Sequence, residues 1–215
     1  MTALPSKKWV LILFVAALIL TVSQPANATI YQIPKDLADE CKVFQKAVVA
    51  SPNNAAAHFN LAMNYAYTGR ILEGWSSLKK VNELDPNYAK KVLAEYEPKA
   101  KAHPEDWKNP FKLAFGYYFL NRKDDAEAQF KSILKLYPNH VWAMGYIALL
   151  EGEKQHYDVT IDWCHKGLAI EPDATALHFL EGEALAKSGH HIAAIGKRLI
   201  VLKYLAEESS RRKNK

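Results

Sequence analysis

Cysteine is nearly absent: Cys41 and Cys164 are the only two in 215 residues. That is too few for the disulfide framework that staples small secreted domains, and it leaves no paired-thiol motif and no haem attachment sequence. The chain also lacks a Gly-rich phosphate loop and a nucleophile elbow, the sequence signs of nucleotide binding and of serine-hydrolase chemistry. Charge of one sign is not concentrated. The net charge of +5 includes Lys7 and Lys8, and "EESSRRKNK" at the C-terminus holds four basic and two acidic groups, so the body between carries +1. Lys and Arg are scattered among Asp and Glu, which argues against a nucleic-acid surface. No apolar run reaches the roughly 20 residues of a membrane-spanning helix. The longest, "WVLILFVAALIL" (Trp9 to Leu20), has 12.

That run has a meaning of its own. Lys7 and Lys8 precede it, and a polar segment ending Ala26-Asn27-Ala28 comes after it. Basic start, apolar core and A-x-A end are the order of a secretory signal peptide. Residues 1–28 are expected to be removed before Thr29, leaving an exported periplasmic or extracellular chain that meets the membrane only in transit. The alternative is a retained anchor.

Eight histidines invite a search for metal ligands. His190 and His191 are adjacent, as are Cys164 and His165, so each pair diverges on a helix. His178 and Glu181 share a face but lack a third ligand at a useful spacing. No catalytic residue, metal or cofactor is expected, and the chain reads as a non-enzyme.

What the sequence does contain is a repeated break. "KLYPNHVWA", "ASPNNAAA", "LDPNYAK", "AHPEDWK" and "IEPDATA" each place proline between two helical runs. Pro52 to Pro86, Pro104 to Pro138 and Pro138 to Pro172 are each 34 residues. Proline lacks a backbone N–H and biases the preceding residue away from the helix, so Tyr137 should end one helix and Pro138 lead to the next. A fixed period of this size marks helix-turn-helix repeats that bury their apolar stripes only by stacking. Aligned on the prolines, the blocks supply Leu61, Ala62, Tyr65, Gly74 and Leu78; Leu113, Ala114, Tyr117, Ala126 and Phe130; Ile147, Ala148, Thr160 and Cys164; then Gly182, Leu185 and Ala194. Gly69, Asn121 and Gly189 share one register, as a turn that needs a left-handed residue requires.

These residues resemble the tetratricopeptide repeat family, with its pattern W-x-x-L-G-x-x-Y, A-x-x-x-F, P, over roughly Ala55 to Leu205. There are departures. His58, Pro110, Met144 and His178 stand at the tryptophan position, Glu151 replaces the tyrosine of the third repeat, and Arg198 the phenylalanine of the fourth. The resemblance implies an all-α, right-handed α-solenoid with an N-terminal capping helix and one inserted helix. Its parts would be an N-terminal segment with a capping half-repeat (29–52), repeats at 53–86, 105–138, 139–172 and 173–206, an inserted helix at 87–104 that Pro98 ends or kinks, and a basic disordered tail (207–215). The inserted helix would reverse the up-down order after it, either packing outside the series or splitting the array. Stacking would also keep the two thiols several helices apart, beyond disulfide reach.

The resemblance further implies a protein or peptide partner held on a concave groove lined by first helices. The positions are Phe59, Met63, Tyr67, Phe111, Phe115, Tyr118, Phe119, Trp142, Tyr146 and Phe179. Lys108 and Lys112 are the only basic pair nearby, so an apolar or aromatic peptide of an envelope partner is expected rather than an acidic C-terminus. The favoured reading is an exported scaffold. The alternatives are an enzyme-associated regulatory subunit or metal-dependent enzyme with a site near Pro98 and His103, and a membrane-tethered assembly factor. The stripe Ile192, Ile195, Leu199, Leu202 and Leu205 is expected to pack back on the fourth repeat rather than stay open as a dimer surface; the oligomeric state is otherwise open.

Overall fold

The computed structural model describes residues 33–213. The expected leader and cleavage site lie outside them. The described residues are all-helical, with ten α-helices: α1 (Lys35–Ala50), α2 (Ala55–Ala66), α3 (Ile71–Leu84), α4 (Tyr88–Ala102), α5 (Lys108–Phe119), α6 (Lys123–Leu136), α7 (Val141–Glu153), α8 (Tyr157–Ile170), α9 (Thr175–Lys187) and α10 (His191–Lys213). Among these residues no helix is long and apolar enough to cross a membrane. They form two compact units that meet in sequence within α7, one ending at Tyr146 and one beginning at Ile147.

The prolines act as the sequence suggested. Ser51, Asp85, His103, Tyr137 and Glu171 are the C-cap residues of α1, α3, α4, α6 and α8, and a proline comes directly after each. Within each pair the turn is made by a left-handed residue: Gly69 (φ 73°), Asn121 (φ 59°), Gln155 (φ 68°) and Gly189 (φ 89°). Gln155 stands 34 residues from both Asn121 and Gly189. It escapes sequence reading because glutamine carries no turn preference, unlike glycine or asparagine.

Small residues then let the paired helices close. An added Cβ on Gly74 of α3 would lie 3.5 Å from the Ala62 carbonyl oxygen of α2, and one on Gly182 of α9 would lie 3.2 Å from Lys197 Cβ of α10. The template positions Ala62, Ala114, Ala126, Phe130, Ile147, Ala148 and Cys164 are buried, and both thiols are free. The two histidines at the tryptophan position repeat one contact: His58 Nε2 is 2.8 Å from the Pro52 carbonyl oxygen, and His178 Nε2 is 2.8 Å from that of Pro172. Each ring ties its helix to the preceding turn, a polar substitute for packing an indole there.

Gly69 and Gly189 should respond differently to substitution. Alanine at either position meets the left-handed penalty of roughly 1–2 kcal/mol, but nothing lies within 4 Å of the Cβ at Gly189, whereas Trp142 ring carbons stand 2.8 Å away at Gly69. Chemical denaturation should therefore rank Gly69→Ala clearly below Gly189→Ala in stability. Equal losses would mean that Trp142 moves aside freely.

One expectation is narrowed and two are corrected. Of the two outcomes expected at Pro98, an end or a kink, the end is excluded, because α4 runs on to Ala102. Proline removes one hydrogen bond to the carbonyl four residues back, here Ala94, and since Ala94 and Pro98 are both exposed, that carbonyl can face water. The tail is not irregular from Glu207, because α10 continues to Lys213. Finally, Ile192, Ile195, Leu199 and Leu202 do not pack back on the fourth repeat: α10 turns Ala194 and Val201 inward and leaves those four exposed.

Candidate partner-binding site

In the unit ending at Tyr146, the expected groove is filled. Phe59, Met63, Tyr67, Phe111, Phe115 and Trp142 are buried, while Tyr118, Phe119 and Tyr146 are half-buried. In the other unit Phe179 is also half-buried. The six buried positions are thus core and not a solvent-facing surface.

The reason is the odd helix. A single extra helix reverses the direction of each helix after it, and the contacts bear this out. Tyr67 at the end of α2 meets Trp107 and Phe111 at the start of α5. Similarly, Trp142 packs on Gly69, and the Tyr146 hydroxyl donates to the Ala66 carbonyl at 3.2 Å. Helices α5 and α7 therefore cross α2 in the opposite sense, and the three first helices face one another. Their aromatic stripes interlock instead of lining a trough. Phe111 has ring centroids of Tyr67, Phe115, Phe130 and Tyr146 all within 5.5 Å, and Tyr146 stacks on Phe130 at 5.3 Å.

Helix α4 covers α2 and α5 from another side. Its Tyr88 and Tyr96 rings lie 5.4 and 6.4 Å from Phe59. Its Val92 and Leu93 come so near to Gly116 of α5 that a Cβ there would stand 2.8 and 2.6 Å from them.

Helix α1 closes the end of the array through an apolar cluster and several polar contacts, among them Asn64 Nδ2 donating to the Leu37 carbonyl at 3.0 Å and Gln45 Nε2 to the Tyr65 hydroxyl at 3.2 Å. Cys41 packs with Leu61 and Tyr65, and Phe44 and Val48 flank that cluster. Glu40 is one polar anchor: Tyr67 donates its hydroxyl to Oε2, Asn64 Nδ2 donates to the same oxygen at 2.9 Å, and Lys108 Nζ pairs with Oε1 at 2.6 Å. Burial opposes ionisation of Glu40, but the hydrogen bonds from Lys108, Tyr67 and Asn64 outweigh it and hold the carboxyl below its ordinary 4.5. Lys112 Nζ donates to Asn60 Oδ1 at 2.9 Å and approaches the Tyr96 hydroxyl at 3.4 Å, and burial pushes its pKa down. Both basic side chains near the groove are thus engaged inside the unit, Lys108 by a carboxylate and Lys112 by neutral oxygens.

His140 is a half-buried titrating group of this core. Its Nδ1 accepts a hydrogen bond from the Ala143 amide at 3.1 Å, and its ring lies edge-on 4.5 Å from Trp107. Burial lowers its pKa to about 4 from 6.5. Between these values the unfolded chain binds the proton and the folded chain does not, so stability should fall as pH drops from about 6.5 to 4. Urea midpoints of wild type and His140→Asn across that range check this. Parallel pH profiles would exclude His140 as the source.

The remaining candidates resolve into structure. His103 Nδ1 meets Glu105 at 3.2 Å on the exposed surface, and Glu181 is held by His165 at 3.0 Å and Lys197 at 2.7 Å, so it is not paired with His178. Among the described residues no group of three His, Cys, Asp or Glu is placed to hold a metal ion.

The geometry defines a class: an all-α protein of tetratricopeptide-like helix-turn-helix repeats, in which an extra helix has closed the first-helix face. No protein-family description matches the chain, and no curated protein does. Among solved structures it is similar to a crystal structure of MamA, with TM-score 0.47 and 18% identity over 81% of this chain and 92% of that one. It is also similar to the yeast Tom70 crystal structure, with TM-score 0.44 and 15% identity over 79% of this chain and 39% of that one. Likeness at this level assigns no function.

Proposed function

We propose that this protein is an exported, non-enzymatic scaffold that positions a protein partner in a cell envelope. The carrying observation is the repeat framework itself, in which turns with left-handed residues at fixed register join the helices of each pair in both units. The sequence order of a secretory leader supports export. With the aromatic face closed, the partner segment meets what remains half-exposed at the end of α5, Tyr118 and Phe119, whose rings lie 5.6 Å apart in a T-shaped arrangement. Aromatic side chains of this kind offer large contact area with few torsions to freeze.

The test is capture from native envelope extract with the full chain, comparing wild type, Tyr118→Ala/Phe119→Ala and Phe111→Ala. A partner retained by wild type and lost from the first variant, which circular dichroism shows to be folded at the capture temperature, is the expected result. Retention by that variant would move the interface elsewhere. Loss only with Phe111→Ala would report unfolding and not recognition.

A further inference from the structure

We propose that α10 pairs with α10 of a second copy of this chain, antiparallel, through Ile192, Ile195, Leu199 and Leu202. These four side chains are 89%, 55%, 61% and 42% exposed. Their spacing of three, four and three residues repeats a and d positions of a heptad, and at about 100° per residue they fall within about 80° of arc. So narrow a stripe is the seam of a helix pair. A lipid-binding helix carries a wider apolar face.

Another side of α10 is held by its own unit. Ala194 and Val201 are buried, Lys197 Nζ pairs with Glu181 at 2.7 Å and Arg198 with Glu183 at 3.0 Å. The seam lies on the side left over. Its four side chains leave on the order of 500 Å² open per copy, so a pair buries about 1,000 Å², the size at which specific interfaces begin.

Gly196 adds an independent sign. A Cβ there would meet nothing within 4 Å, so the chain's own packing gives no reason for glycine. An exposed glycine inside a helix weakens it. Close approach of a second backbone supplies the missing reason.

Charge chooses the orientation. Parallel pairing sets Lys203 of each copy beside Arg198 of the other, two like-charge contacts per pair. Antiparallel pairing about a two-fold axis beside residue 197 stacks Ile192 on Leu202 and Ile195 on Leu199, and brings Gly196 next to its counterpart. Arg198, on the other flank, also comes beside its counterpart, one like-charge contact in place of two, and each guanidinium keeps Glu183 as a counter-charge.

Sedimentation equilibrium of the full chain in density-matched non-ionic detergent should give two copies per particle. Ile195→Lys/Leu199→Lys places four lysines at the axis and should raise the dissociation constant at least about 100-fold, with unchanged helical circular dichroism because both positions point away from their own unit. Gly196→Cys should cross-link to its counterpart on mild oxidation, whereas Lys203→Cys, about 18 Å from its own counterpart at 1.5 Å per residue, should not. A single-copy wild type would overturn the proposal, including one that instead binds anionic vesicles through the same stripe. So would a pair that the double-lysine variant leaves intact, or cross-linking at 203 but not at 196.

Discussion

Phe111→Ala should cost about 3–5 kcal/mol, the range for truncating a fully buried aromatic ring. Phe111 has 0% exposure and joins α2, α5, α6 and α7 through Tyr67, Phe115, Phe130 and Tyr146. No neighbour can collapse into the space without breaking another ring contact, which places the expected loss near the top of that range. Against a typical total stability of about 5–15 kcal/mol, one such loss is enough to populate the unfolded chain. Urea unfolding followed by circular dichroism measures it, with Phe119→Ala as the half-buried comparison. A loss under about 1 kcal/mol at Phe111 would show that the aromatic face is open in solution and would restore the groove.

Removing Glu40 should have an effect of similar size by a different route. Glu40→Ala leaves the Tyr67 hydroxyl and one N–H of the Asn64 amide, on residues 1% and 0% exposed, without their carboxylate acceptor, while the Asn64 bond to the Leu37 carbonyl remains, and it frees the Lys108 ammonium. Each buried polar group left unpaired costs about 1–3 kcal/mol, and the half-exposed lysine adds less, so about 3–5 kcal/mol is expected in all. The loss should be local first. Amide exchange along α1 should rise in the variant more than in α6, because Glu40 is one of the side chains that hold α1 to α2, beside the cluster around Cys41 and the Asn64–Leu37 hydrogen bond. Uniform acceleration of exchange in every helix would instead mean that α1 does not open separately.

Acid should reproduce the same loosening. The folded pKa of Glu40 is depressed, so its contribution is fully present above the ordinary carboxylate value of 4.5 and is lost as pH falls through the folded value. Acid destabilisation of this unit therefore has two stages, His140 from about 6.5 downward and Glu40 below 4.5.

Much of the architecture was legible because it is local. The 34-residue proline spacing placed the breaks, and the small residues Gly74, Ala126 and Gly182 placed the helix crossings, since a proline or a missing Cβ acts on its nearest neighbours whatever the rest of the chain does. Gly69, Asn121 and Gly189 were readable as turn residues for the same reason. Gln155 was not, because there the packing of two helices imposes a conformation that the residue itself does not favour.

The site lay beyond such reasoning. Phe59, Phe111 and Trp142 have the composition and helical phase of a recognition groove, and phase identifies a face without saying what covers it. What covers it was decided by one extra helix, α4, which turned α5 and α7 against α2 and made a core of that face. The reverse holds at Ile192, Ile195, Leu199 and Leu202, whose apolar phase suggested burial. By itself the sequence determined which side chains share a face, because periodicity is a property of the helix. Only the tertiary structure decided which faces meet, because that depends on the direction in which each helix runs past the others.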